Sequence, residues 1–437
     1  MARSPPGPAF ARESALLRKR RTAERGPGAL LLTCLSVKAG SRLPDLVPRA
    51  SVDDWNEALD AAVREHVAPL LFKRLKERDA RTCVPDSVWK QLRLAYFTSG
   101  DRNTRLYREL RTVLECLRSA GIPVIVLKGA YLAEAVYRDV GLRPMCDSDL
   151  MVPRQDLERA EAVLLNMGAV YLKRPPLTPE EGFGQGCGKA DHARPVAIRD
   201  LAIEIHWTIA APNGPVRTEV VDIWKRARPT RTAEVEVLSL SPEDLLLHLC
   251  LHLCYHHNCV GLRSLCDIGE SVHRFSGAMD WRQVTGSARA WGGARYVGLA
   301  LHLARSLLAA DVPADVLERL VPGGLDPRVL KAASATVTSG IPFDRWLSPA
   351  FLGLKGPESP ARKLGRVWER TFLSRDAMFA EYPAARESGH RYIFHARRVW
   401  DILRKWGPAL GRIPGHEWKR NLADNSVLSD WLKSDEP

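Results

Sequence analysis

Leu142-Arg143-Pro144-Met145-Cys146-Asp147-Ser148-Asp149-Leu150-Met151-Val152 sets two aspartates, one residue apart, at the head of a short apolar run. A run this short reads as a strand over 147–152 rather than as a core helix. Side chains alternate along a strand, so Asp147 and Asp149 point to one face, about 6–7 Å apart along it. Two carboxylates aimed together repel each other unless a cation or a proton lies between them. Hard oxygen donors of this kind suit magnesium that is shared with substrate phosphates. An exposed pair of strand-end aspartates leaves the same trace, so the neighbouring segments must decide.

Upstream, Val124-Ile125-Val126-Leu127 is a continuous apolar run, as expected of a strand buried on both faces. Lys128-Gly129-Ala130 then opens a helix that carries Leu132, Ala133 and Val136. A bare Gly129 at that turn lets backbone approach a phosphate, and Lys128 offers a point charge beside it. Glycine is also common at such turns without any ligand. Arg143, just before the acids, suits a phosphate contact or a solvated loop equally well. Downstream, Ala202-Ile203-Glu204-Ile205-His206-Trp207 sends its isoleucines to one face and Glu204 with His206 to the other. This predicts a third strand over 202–208, with a further carboxylate and an imidazole on one side. A half-solvated strand shows the same alternation.

Around this core the pattern is helical. Residues 1–27, with Arg18-Lys19-Arg20-Arg21, hold too few apolar groups to offset the entropy of ordering and read as a disordered basic tail. Residues 28–100 form an N-terminal helical region, with Trp55, Leu59, Ala62 and Val63 on one helical face. A longer helix over about 100–119 ends at Gly121 and Pro123. Short strands interleaved with helices make 101–240 the core. The glycine-rich loop 175–189 lacks apolar anchors and suits a lid for an acceptor. Residues 241–437 read as helical, starting with Ser241 as N-cap and Pro242 at the first helical position. The expected fold class is α+β, a small mixed sheet with helices, flanked by N-terminal and C-terminal helical regions.

Composition narrows the function classes. A chain of 437 residues with 45% apolar and 26% charged residues has ordinary globular proportions. No run approaches the length of a membrane helix, so membrane insertion is not expected. Nine cysteines, an odd number thinly spread, fit reduced thiols and a cytoplasmic location. The net charge of +13 is dispersed and comes with no nucleic-acid recognition motif. Nucleic acid is therefore not the expected partner, and a positive field that draws in a nucleotide triphosphate is the simpler account.

The order of these pieces is apolar strand, Lys-Gly, helix, Arg-Pro-x-x-Asp-x-Asp, helix and Glu-x-His-Trp. It resembles the uncharacterised bacterial nucleotidyltransferase family of the DNA polymerase beta-like superfamily. The similarity continues through Leu262-Arg263-Ser264-Leu265-Cys266-Asp267-Ile268 and covers about residues 50–280. The resemblance implies that Asp147 and Asp149 hold two magnesium ions, with manganese as the alternative, and that Glu204 is the third carboxylate. Lys128, Gly129, Arg143 and His206 would line the nucleotide. A nucleoside triphosphate such as ATP would donate its monophosphate to a hydroxyl or amine of a small-molecule, peptide or protein acceptor. Two positions depart from the superfamily pattern: a serine that usually touches phosphate is replaced in Lys128-Gly129-Ala130, and the third acid is Glu rather than Asp. The other reading is therefore a nucleotide-binding or degenerate transferase that acts as a sensor or interaction module. An RNA-modifying transferase rests on net charge alone.

One further constellation stands out. His248, His252 and His256 recur every four residues, with Cys250 and Cys254 interleaved and His257 and Cys259 close behind. Histidines at this spacing share a helix face and fit either zinc or a row packed beside the nucleotide, but no fourth ligand falls at a suitable spacing. Asp191-His192 precede the third strand, and His192 is expected at the mouth of the site.

Overall fold

The computed structural model describes residues 27–37, 47, 50–172, 192–211, 214–339, 393–400 and 426–432. The basic tail (apart from Pro27), the lid at 175–189 and Asp191 lie outside the described residues.

Among the described residues four helices come first: α1 (Pro27–Leu35), α2 (Val52–Arg64), α3 (Ala68–Glu77) and α4 (Asp86–Ser119). A reciprocal cap starts α2: Ser51 Oγ accepts from the Asp54 amide and the Asp54 carboxylate accepts from the Ser51 amide. Trp55, Ala58, Leu59 and Ala62 face inward, whereas Val63, expected on the same stripe, is 52% exposed. Successive residues lie 100° apart around a helix, so Ala62 takes the buried position and turns its neighbour outward. Helix α4 is longer than its sequence pattern suggests, with 34 residues spanning about 50 Å. Its solvent-rich first half hides the period, and Leu92, Leu106, Leu110, Val113, Leu114 and Leu117 are buried along it. Gly121, at φ +69°, ends it, with the Ile122 amide donating to Leu117 O at 3.0 Å.

The sheet then forms from β1 (Ile125–Val126), β2 (Asp147–Met151), β3 (Val170–Tyr171), β4 (Val196–Ile198), β5 (Leu201–His206), β6 (Arg228–Thr232) and β7 (Val235–Ser239). Interleaved helices are α5 (Lys128–Tyr131), which runs on as a π turn over Leu132–Val136, α6 (Leu157–Asn166) and α7 (Val220–Arg226). The strand order is β3-β4-β5-β2-β1-β7-β6. The β2–β5 and β1–β7 pairs are parallel and the rest antiparallel, so the sheet is mixed. β2 lies at its centre, and its Leu150 and Met151 are fully buried, as are Ile125 of β1 and Ile203 of β5.

The buried polar side chains of α4 place the loops that feed β2. Asn103 donates to Val140 O and to Arg143 O (2.8 Å) and accepts from the Met145 amide. Tyr107 donates to Ala130 O, and Tyr96 donates to the Asp139 carboxylate. A buried amide with its hydrogen bonds met fixes a loop more sharply than apolar contact does.

The chain continues as α8 (Pro242–Leu251), which passes into a π turn over His252–His256, then α9 (Leu262–Phe275), α10 (Trp281–Ala290), α11 (Ala294–Leu308), α12 (Ala314–Leu320) and α13 (Pro327–Val337). Ser241 caps α8 as expected, accepting from the Asp244 amide at 3.1 Å. The early and late helices also meet: Arg74 of α3 pairs with Glu270 of α9, and the Leu262 amide donates to Glu65 Oε2. The fold is α+β, a mixed sheet flanked by helices on either side in sequence.

Candidate active site

The parallel register puts Asp149 opposite Glu204, with Asp147 opposite Ala202 and Met151 opposite His206. Residues 147, 149, 204 and 206 therefore share one face of two neighbouring strands. Their ligand atoms converge. Asp149 Oδ1 lies 3.0 Å from His206 Nε2, which lies 3.8 Å from Glu204 Oε2. One ligand atom from each of Asp149, Glu204 and His206 falls within 4.8 Å of the others. Asp149 and His206 are buried, and Glu204 is partly exposed.

Lys128 completes the group from the other side. Its Nζ donates to Asp149 Oδ1 at 3.1 Å. The backbone reaches this position through φ +40°, the left-handed region that a non-glycine residue enters at a cost of roughly 1–2 kcal/mol. Burial alone would push the Asp149 carboxyl up, but the Lys128 charge and the His206 hydrogen bond outweigh it and hold the acid well below the usual range. Asp147 behaves in the opposite way. It stands at the exposed mouth of the cluster, yet the protein around its carboxyl raises it, and repulsion from Asp149 and Glu204 raises it further against the pull of Lys128 and Arg263. Two acids on one face with opposite shifts mark a place where negative charge is concentrated beyond what the protein's own cations neutralise.

Arg143 and Gly129 lie behind this face. The Arg143 guanidinium is buried and binds the Asp267 carboxylate of α9 through Nε (2.9 Å) and Nη2 (2.9 Å), and the Tyr137 hydroxyl donates to the same carboxylate. Gly129 packs under that guanidinium: a Cβ there would sit 2.7 Å from Arg143 Nη1. The bare position is thus filled by arginine. Arg263, one helical turn before Asp267, donates to Pro144 O at 3.0 Å, and Asp147 acts on its charge.

The histidine row of α8 approaches from the helical side. His248 is 2% exposed, and neither ring nitrogen has a hydrogen-bond partner among the described residues. Burial, then the charges of Lys128 and His206, keeps its imidazole neutral, far below the ordinary histidine range. His252 and His257 meet Nε2 to Nε2 at 3.0 Å, one ring donating and the other accepting, and burial pushes His257 down to about 3. Cys259 donates to Cys254, sulfur to sulfur 3.1 Å, in a buried thiol pair. Among the described residues this row does not assemble a three-ligand metal group, which only Asp149, Glu204 and His206 form. His192 bridges to His206 through the backbone, their rings 5.2 Å apart.

The structure brings together Lys128, Asp149, Glu204 and His206, with Asp147 at the mouth, and sets Gly129 and Arg143 against each other behind them. The sequence did not reveal Asp267 as the partner of Arg143, 124 positions away. For the histidine row it left zinc and packing beside the nucleotide as alternatives without singling out His248, on whose imidazole the charges of Lys128 and Asp149 act.

The mixed sheet thus gathers these acids on two neighbouring parallel strands, beside the Lys128-Gly129 turn. The chain belongs to the uncharacterised nucleotidyltransferase family, whose model matches residues 51–309. No curated protein matches it. Among solved structures it is similar to the solution structure of the antibiotic-resistance factor ANT(2'')-Ia, at 14% identity and a TM-score of 0.32, over 46% of this chain and 97% of that one. A TM-score of that size supports no inference about fold or function.

Proposed function

We propose that the protein is a divalent-metal-dependent nucleotidyltransferase that moves a nucleoside monophosphate from a nucleoside triphosphate to a hydroxyl or amine. The observation that carries this reading is the convergence of Asp149, Glu204 and His206 within 4.8 Å on one strand face, with Asp147 two residues along it. The donor set fits a divalent cation, since carboxylate oxygens and an imidazole are standard ligands and the acids hold more negative charge than Lys128 offsets. Such an ion would polarise the α-phosphate and make the acceptor oxygen more acidic.

The chain's own groups supply the rest. Lys128 sits where it can move from Asp149 to the triphosphate once the acid is otherwise neutralised. The acceptor oxygen or nitrogen forms a bond to the α-phosphorus, the bond to pyrophosphate breaks, and the acceptor proton passes to the Glu204 carboxylate. The buried His248 and the His252–His257 pair, neutral at pH 7, add no charge that would compete with the substrate. Arg263, whose charge acts on Asp147, adds positive potential there and favours the approach of a polyanion, whereas Arg143 is neutralised by Asp267.

Pyrophosphate release from each nucleoside triphosphate, with water standing in for the acceptor, tests the reading. The wild type should release it slowly with a divalent ion, and Asp147→Asn/Asp149→Asn should not. Tight triphosphate binding with no release at all would favour a sensor that keeps the site without the transfer.

A further inference from the structure

We propose that His206 is a direct metal ligand, so that this centre is built for a first-row transition ion such as manganese or zinc in preference to magnesium. The proposal rests on Asp149 and Glu204 being metal ligands, but not on nucleotidyl transfer. Imidazole nitrogen is a poor ligand for magnesium, which is bound almost wholly by oxygen, and a good one for zinc, iron and related ions. His206 Nε2 lies 3.0 Å from Asp149 Oδ1 and 3.8 Å from Glu204 Oε2. Nitrogen and oxygen ligands on a common ion at about 2.0–2.2 Å from each lie about 3 Å apart. The imidazole is 3% exposed, and strand register holds its nitrogen between the two acids. Ligation requires the tautomer with its proton on Nδ1.

A second observation points to the same occupant. His248, on a different element, is buried with both ring nitrogens unpaired among the described residues, and its imidazole is near enough to His206, Lys128 and Asp149 for their charges to act on it. A buried polar group without a partner costs about 1–3 kcal/mol. An ion carrying water molecules between His248 and the cluster supplies that partner, whereas a cluster closed by His206 and Lys128 alone leaves His248 stranded. The competing arrangement has His206 only orienting Asp149 by a hydrogen bond while oxygen alone meets the ion.

Pulsed electron paramagnetic resonance of manganese bound to the full-length, metal-stripped protein separates the two without any nucleotide. The expected result is a nitrogen coupling from a directly bound imidazole that changes to the nitrogen-15 pattern when histidine is selectively labelled. The coupling should disappear in His206→Gln and persist in His248→Gln, which should bind manganese only a few-fold more weakly. Magnesium should displace the manganese only at a concentration at least ten times higher. Bound manganese with no nitrogen coupling, coupling that survives in folded His206→Gln, or displacement by an equal concentration of magnesium would each overturn the proposal. The labelled wild type gives its answer even if the variants do not fold. A nitrogen-coupled ion in a protein that binds no triphosphate would uphold this ligation and remove the transferase reading.

Discussion

Asp149 and Glu204 stand opposite each other on the same rung of the parallel β2–β5 pair, so two strands 55 positions apart present their acids as a pair. Like charges facing each other on neighbouring strands destabilise a sheet unless something neutralises them. Here Lys128 and His206 both close on Asp149, and the protein is left with a net acidic pocket at Glu204 and Asp147.

The first prediction concerns Lys128, whose ammonium occupies the oxygen that a metal would need. Lys128→Met should tighten divalent binding by about 3- to 10-fold, the effect of removing one nearby positive charge in a partly screened site. The same variant should weaken nucleoside triphosphate binding. Calorimetric titrations of metal and of nucleotide check both signs; a variant that loses both affinities while folded would mean that Lys128 only shapes the turn.

Arg143 and Asp267 form a buried pair that ties the loop before β2 to α9. Removing one partner leaves a stranded charge, so Asp267→Ala should destabilise the protein by about 3–5 kcal/mol. Arg143→Met/Asp267→Leu should recover most of that loss. Urea unfolding of the single and double variants measures the difference.

Gly129 is bare because the Arg143 guanidinium lies over it. Gly129→Ala brings a methyl to within 2.7 Å of Nη1 of a guanidinium whose other two nitrogens, Nε and Nη2, are held by Asp267, so the arginine cannot swing away cheaply. The expected cost is about 1–3 kcal/mol of stability, as for other overpacked core sites. In an Arg143→Met background the same substitution should cost little, and thermal unfolding of both pairs checks this.

Acid should unfold the protein earlier than its carboxylates require. His248 is held far below the ordinary histidine value of about 6.5, so the folded state stays neutral while the unfolded chain takes up a proton. Stability is therefore full above about pH 6.5 and falls as pH drops below it, by up to about 1.4 kcal/mol per pH unit for this residue. His252 and His257 act in the same direction. Asp149, held below its unfolded value of about 3.9, gives up its contribution only under stronger acid. Urea midpoints should thus decline between pH 7 and pH 5, and His248→Phe should flatten the slope. Midpoints that stay level down to about pH 4 would contradict this.

The chemistry-bearing faces were legible because strand alternation is a local property. Asp147 with Asp149, and Glu204 with His206, were each assigned to one face from neighbours two residues away. Ser241 and Pro242 announced α8, since caps are also local. What the sequence could not show was pairing. Nothing within β2 or β5 states that residue 149 meets residue 204, and that register brings His206 onto Asp149. Arg143 read equally well as a phosphate contact or a solvated loop residue because its partner Asp267 lies in a helix 124 positions away. The outer strands were missed for a related reason. β3 has only two residues, and β6 carries Pro229, which weakens any strand pattern and is tolerated at the sheet's edge.

Calorimetric titration of each nucleoside triphosphate, with and without a divalent ion, into wild type and into Asp147→Ala/Asp149→Ala tests the central claim most directly. Divalent-dependent binding of a triphosphate by the wild type, lost in the folded double variant, is the predicted result. Failure of the folded wild type to bind any triphosphate, or binding that survives loss of both aspartates, would contradict the account.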